Sequence, residues 1–183
     1  MRILGIAGSL RRDSHNARLL RGVGAVLPRD AELAVFEGLA DIPPYNEDDE
    51  QSPPAAVAAL KAAIEQADAL LLATPEYNHS IPGVLKNAID WASRPYDSNP
   101  LRGKPAAVVG ASTGLFGAVW AQAELRKVLG ATGARVVDRE LPVGQVDEAL
   151  DADGLPLEDD LRDALSATID ELLELASPSE VVA

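Results

Sequence analysis

The chain has 183 residues, enough for one compact unit of ordinary size and little more. With 47% hydrophobic and 25% charged residues it is neither disordered nor fibrous, and no stretch approaches the ~20 apolar residues of a membrane span. Cysteine is absent, which excludes disulfides, thiolate metal sites and catalytic thiols together, and a net charge of −13 repels the polyphosphate backbone of nucleic acid.

Residues 2–7 form a short apolar run ended by Gly8-Ser9 and read as a buried strand; the run is too short for a signal h-region, so a cytoplasmic setting without membrane attachment is expected. Residues 16–27 carry Ala17, Leu19, Leu20, Val23 and Val26 at helical spacing before Pro28. A second strand is expected over 32–37. After a polar connection, Ser52 with Pro53-Pro54 opens a helix reaching residue 66. Residues 67–74 give a third strand, 83–92 a helix, 105–111 a fourth strand, 116–130 a helix and 134–137 a fifth strand. A helix over 157–176 turns Leu161, Leu165, Ile169, Leu172 and Leu173 inward, and 177–183 read as a frayed tail behind a single domain of residues 1–176.

Strands and helices alternate, and the strands are unbroken apolar runs, which implies a parallel sheet covered on both faces. Five such units fit an α/β three-layer sandwich of the flavodoxin-like kind, strand order 2-1-3-4-5. Ligands of such sheets sit beyond the carboxyl ends of the strands where the order reverses, so the loops after the first, third and fourth strands matter.

The first loop, residues 8–16, joins a strand to a helix N-terminus, a natural phosphate cradle. Ser9 and Ser14 add hydroxyls, Asn16 an amide, and Arg11 a forked cation. Residues 1–29 hold six Arg and one Asp in an otherwise acidic chain, which also suits a local anion site. No G-x-G-x-x-G fingerprint is present. The second loop, residues 74–83, has a proline at each end, and its stiff backbone and Tyr77 suit a flat heterocycle. The third, Gly110-Ala111-Ser112-Thr113-Gly114, matches the G-x-S-x-G of a nucleophile elbow. That fold needs its histidine after the serine, and both histidines, His15 and His79, precede Ser112, so a loop of small residues lying close to a ligand is the better account. The Asp-rich segment 149–160 only half-resembles a calcium loop, with Ala149 in the first ligand position and Asp160 in the twelfth.

Gly8-Ser9-Leu10-Arg11 with Ser14 and Asn16, then Pro75-Glu76-Tyr77-Asn78 with Ser80-Ile81-Pro82-Gly83 and Leu85-Lys86-Asn87-Ala88-Ile89-Asp90-Trp91, resembles the NADPH-dependent FMN reductase family of quinone, azo-dye and chromate reductases. The likeness runs to about residue 173. It implies FMN as cofactor and NADPH or NADH as co-substrate, with hydride passing through FMN to a quinone or similar small acceptor; with no nicotinamide module in the chain, donor and acceptor are expected to use one open flavin face in turn, in ping-pong turnover. It implies that Ser9, Arg11, Ser14 and Asn16 hold the FMN phosphate, that Pro75, Glu76, Tyr77 and Asn78 flank the isoalloxazine largely through main-chain groups, and that Ser112 and Gly114 meet the ring and ribityl chain. No protein side chain is then needed as catalyst, and a homodimer or homotetramer is implied. His15 departs from the bulky apolar residue many members carry there. The competing expectations are a flavodoxin-type electron carrier serving a protein partner and, weaker still, a flavin-free binding protein.

Overall fold

In the computed structural model, which describes residues 1–177, the first apolar run is β1 (Arg2–Ala7), and it pairs in parallel with β2 (Glu32–Val35) on one side and β3 (Ala69–Ala73) on the other. β3 pairs with β4 (Pro105–Ala111), and β5 (Arg135–Val136) closes the order as 2-1-3-4-5, as expected. Pairing of β1 and β3 on either side of the reversal leaves the ends of β1, β3 and β4 as one rim. The frayed tail expected over 177–183 lies, apart from Ser177, outside the described residues.

Side-chain alternation along the central strands feeds two separate cores. Leu4, Ile6, Leu70, Leu72, Ala106 and Val108 face α2 (Ala55–Gln66), α3 (Gly83–Ala92) and α4 (Val119–Ala131). Ile3, Leu71, Ala107 and Val109 face α1 (His15–Val26) and α6 (Asp159–Ala176). In α6, Leu165, Ile169 and Leu172 are fully inward, while Leu161 and Leu173 pack at the margin. Trp91 of α3 is buried, its indole N–H donating to the Pro43 carbonyl at 2.8 Å. Asn87 donates to the same carbonyl and accepts from the Tyr45 N–H. These two residues of the 85–91 motif therefore hold the polar 43–46 connection rather than a ligand.

Three expectations need correction. Ser52 does not cap α2: Pro54 is its N-cap residue, and no side chain bonds there. A residue before proline is pushed out of the α region, so neither Ser52 nor Pro53 can enter the helix. α4 starts at Val119 rather than 116 because Gly117 and Ala118 have φ of 53° and 61°, a left-handed corner that interrupts any helix. The fifth strand, expected over 134–137, is confined to Arg135–Val136, and a sixth strand that was not expected follows it. β5 pairs with the start of β4, and β6 (Pro142–Val143) pairs with its end through Gly110↔Pro142 and Ala111↔Val143. From Ala106 to Gly110 the inner strand advances four residues, while its partner advances six from Val136 to Pro142. The two extra residues form a bulge that hands Arg139 to Glu171 on α6 and Glu140 to Arg126 on α4. A short α5 (Val146–Ala149) follows β6.

The segment beyond α5 turns on Asp151, whose Oδ1 accepts from the N–H groups of Asp153 and Leu155 at 2.9 Å each. Gly154 (φ 91°) then lies directly on α1, where a Cβ would fall on the Arg18 carbonyl, and a Cβ on Gly22 would fall on the Gly154 carbonyl. Two glycines permit this backbone-to-backbone contact; any side chain would push the segment off.

Candidate functional site

The first loop leaves β1 by a tight crossing. Gly8 donates to the Ala73 carbonyl at 2.8 Å, and a Cβ there would sit 2.9 Å from Leu85 and 3.2 Å from Pro75. This glycine lets the first and second loops touch. Ser14 caps α1, its Oγ accepting from the Ala17 N–H at 3.2 Å, and Ser9 Oγ accepts from the Arg11 N–H at 3.3 Å. A hydroxyl that accepts from the backbone keeps its own proton to donate. The N–H groups of His15 and Asn16, the first two of α1, have no partner among the described residues.

Asn16 is 2% exposed, and both ends of its side-chain amide are engaged. Nδ2 donates to the Ala111 carbonyl and Oδ1 accepts from the Ala111 N–H, both at 3.0 Å. The amide clamps the first loop to the end of β4, and Asn16 borders the cleft with its backbone N–H and its second Nδ2 proton unspent.

In the second loop, Tyr77 and Ser80 exchange backbone hydrogen bonds of 3.0 and 3.1 Å around Asn78 (φ 53°) and His79 (φ 59°), a two-residue corner with both φ positive. Asn78 serves this corner. Glu76 sends Oε2 to the N–H groups of Trp120 and Ala121 at 3.1 Å each, capping α4, which has no side-chain cap of its own. His79 lies 3.4 Å from the other Glu76 oxygen and packs edge-on to Trp120. Glu76 thus ties the second loop to the third.

The third loop is held from behind by the segment that sequence patterning missed. Ser112 N–H donates to Val143, Val146 N–H to Ser112, and Gln145 N–H to Gly114, at 3.0–3.1 Å. Buried Gln122 joins the Gly117 carbonyl to the Leu141 N–H. Strands of two residues are too short for a period of two to show, and only the apolar Leu141, Val143 and Val146 hinted at burial.

These loops enclose a cleft of about 300 Å3. Eight of the ten expected residues line it, namely Ser9, Arg11, Ser14, Asn16, Pro75, Glu76, Tyr77 and Ser112, together with His15, Ala111 and Thr113. Asn78 and Gly114 do not. A larger cleft of about 610 Å3 lies between the start of β5 and the end of α6, on charged residues such as Arg135, Asp138, Glu171 and Glu174. It opens at the amino ends of the strands, away from the rim where the loop donors converge, and the smaller cleft is the chemically organised one. Arg11 makes no ion pair among the described residues of a chain of charge −13, so its guanidinium is available to an anion.

His15 also bears on the G-x-S-x-G match. It lines the same cleft as Ser112, and its Nδ1 lies 3.6 Å from Asp147 Oδ1, so chain order alone does not dispose of a hydrolase. Ser112 Oγ, however, bonds to the Gly114 carbonyl at 3.3 Å and not to His15, and Ser112 lacks the positive φ of a strained elbow. A fluorophosphonate is accordingly expected to leave Ser112 unlabelled, and Ser112→Ala to remove no esterase activity; labelling at Ser112 would contradict this.

A parallel sheet in this order, with phosphate-type donors and stiff loops at its switch point, defines a flavodoxin-like protein whose cleft suits a phosphorylated ligand. Residues 1–148 match the NADPH-dependent FMN reductase family, and the chain belongs to that family of oxidoreductases. It is 45% identical to an NAD(P)H-dependent FMN reductase of Pseudomonas aeruginosa, covering 94% of this chain and 93% of that one. It is 37% identical to a 2-hydroxy-1,4-benzoquinone reductase of Burkholderia, covering 93% of each. Among solved structures, the flavoenzyme NAD(P)H:(acceptor) oxidoreductase FerB from Paracoccus denitrificans superposes with a TM-score of 0.85 at 38% identity, over 96% of each chain.

Proposed function

We propose that this chain binds FMN in the three-loop cleft and passes reducing equivalents from NAD(P)H to quinones or similar small acceptors. The observation that carries the reading is the convergence of unspent donors at the switch point: the Ser9 and Ser14 hydroxyls, the first two N–H groups of α1 and the unpaired Arg11. This set suits a phosphate dianion, which accepts hydrogen bonds and nothing else. Bound there, FMN supplies a ring that takes up hydride and returns electrons to an acceptor.

The chain's own residues bind and orient. Arg11 and the α1 N-terminus would fix the phosphate end, with Ser9 and Ser14 donating to it. Pro75, Glu76 and Tyr77 would flank the ring with rigid backbone, Asn78 keeping the corner that holds them. Ser112 and Gly114 would bring the third loop, stapled to β6 and α5, against the ring and ribityl chain. Tyr77 is 53% exposed and the nearby Phe116 and Trp120 are also open, giving an apolar rim for a flat acceptor. No residue here is assigned an acid–base role.

Titration with micromolar protein is expected to quench FMN fluorescence at about one flavin per chain, and unchanged fluorescence would overturn the reading. Donor and acceptor would share one open face, since hydride transfer needs its partners about 3–3.5 Å apart and two molecules cannot hold that position at once. Initial rates against NADPH at several quinone concentrations are expected to give parallel double-reciprocal lines; intersecting lines would mean two separate sites. Activity with small quinones alone also separates an enzyme from an electron carrier that needs a protein partner. We further infer a homodimer or homotetramer and a cytoplasmic location; sedimentation tests the first and fractionation the second. Among the described residues no helix is long and apolar enough to cross a membrane.

A further inference from the structure

The imidazole of His15 is unused by the reading above, yet it stands in the first turn of α1 and lines the same cleft as Ser9, Arg11 and Ser14. It is 20% exposed, and Asp147 of α5 lies behind it, with Oδ1 3.6 Å from His15 Nδ1. The same Asp147 oxygen faces Arg18 at 3.4 Å, and Arg18 donates to the Val146 carbonyl at 3.0 Å, which fixes α5 against α1. At 3.6 Å the carboxylate makes no hydrogen bond to the ring but favours a proton on it electrostatically, and the ring itself borders the cleft.

We propose that His15, backed by Asp147, is a further ligand of the FMN phosphate, binding it as an imidazolium and making cofactor uptake a proton-coupled event. The proposal rests on the placement of the phosphate at the first loop. Three charged groups face the ring: Asp147 favours the protonated form, while Arg11 and Arg18 oppose it. Burial opposes it most strongly, so without ligand the ring is held below its ordinary value of 6.5 and is neutral at pH 7. A dianionic phosphate entering the cleft reverses the balance, since it offsets Arg11 and adds a second anion opposite Asp147. The sign follows. Binding takes up a proton between the lowered value of the free protein and the raised value of the complex, so FMN affinity gains as pH falls through that window and loses the gain above it.

The experiment compares FMN dissociation constants by fluorescence quenching from pH 5.5 to 8.5 for the wild type, His15→Gln and Asp147→Asn, with riboflavin as the ligand lacking phosphate. The phosphate's own second ionisation, near pH 6, is common to all three proteins and cancels in their ratios. The wild type is expected to bind FMN about tenfold more tightly than His15→Gln at the acid end, as for loss of a charged hydrogen bond, with the ratio approaching one at pH 8.5. Asp147→Asn is expected to move that crossover to lower pH. Calorimetry of wild-type binding near pH 7 in buffers of different ionisation enthalpy should show proton uptake that His15→Gln lacks. Riboflavin affinities should match across the three proteins. A wild-type to His15→Gln ratio that stays constant with pH overturns the role of His15 while leaving the cleft intact. Wild-type protein that binds riboflavin as tightly as FMN overturns the phosphate placement and this proposal with it.

Discussion

Asn16→Ala is expected to lower the unfolding free energy by about 2–6 kcal/mol, because it strands two buried backbone groups at about 1–3 kcal/mol each. The wild-type side chain satisfies both the N–H and the carbonyl of Ala111, and the site is almost closed to solvent. Water cannot replace what is lost unless the end of β4 opens. Urea denaturation should show the midpoint falling with little change in slope, since the surface exposed on unfolding is the same. Asn16→Asp separates the two bonds: it keeps an acceptor for the Ala111 N–H but sets a carboxylate oxygen against the Ala111 carbonyl. It should be no more stable than the alanine variant at neutral pH and should recover as the acid protonates. A stability loss under 1 kcal/mol in Asn16→Ala would mean the clamp is not needed to hold the first and third loops together.

The second large effect belongs to the ligand. If the unpaired Arg11 holds the cofactor phosphate, Arg11→Ala should weaken FMN binding by about 1.5–3 kcal/mol, the range for a hydrogen bond to a charged group. Arg11→Lys should recover only part, because a single ammonium cannot reproduce the guanidinium fork. Riboflavin should bind wild type and Arg11→Ala alike. A large riboflavin penalty in the alanine variant would show that Arg11 acts through the loop's shape instead.

The central strands and the strand order were readable because β1, β3 and β4 are unbroken apolar runs separated by clear helices, a pattern that only a covered parallel sheet satisfies. The three loops were readable for the same reason, since topology says where ligands sit before any side chain is placed. What escaped was where polar side chains spend their hydrogen bonds. Asn16 was expected among the phosphate donors with Ser9 and Ser14, and its clamp on Ala111, 95 positions away, is announced by nothing local. Glu76 and Trp120 are likewise 44 positions apart. β6 and α5 escaped because two and four residues are too short to show a period, and the bulge before them shifts the register that a single strand would have kept. His15 marked a departure from the resemblance, but its carboxylate partner could be found only once Asp147 was placed in space.

The two cores on opposite faces of the sheet are completed at different moments of synthesis. The buried residues that surround Leu4, Leu70 and Val108 all lie in or before α4, and so exist once residue 131 has been made, with only the marginal Ala134 and Val136 still to come. Ile3, Leu71 and Val109 wait for Leu165, Ile169 and Leu172 of α6, and the Gly22 face of α1 waits for Gly154. At ~5–20 residues per second the 45 positions from 131 to 176 take roughly 2–9 s, far longer than a helix or a hairpin needs to form. The nascent chain therefore passes through a stage in which the reductase half-exists, one side of its sheet sealed and the other covered by α1 alone. A chaperone that intercepts this protein on the ribosome would do so there, and slowing translation within the codons for 132–158 would lengthen that exposure without touching a single residue of the cofactor cleft.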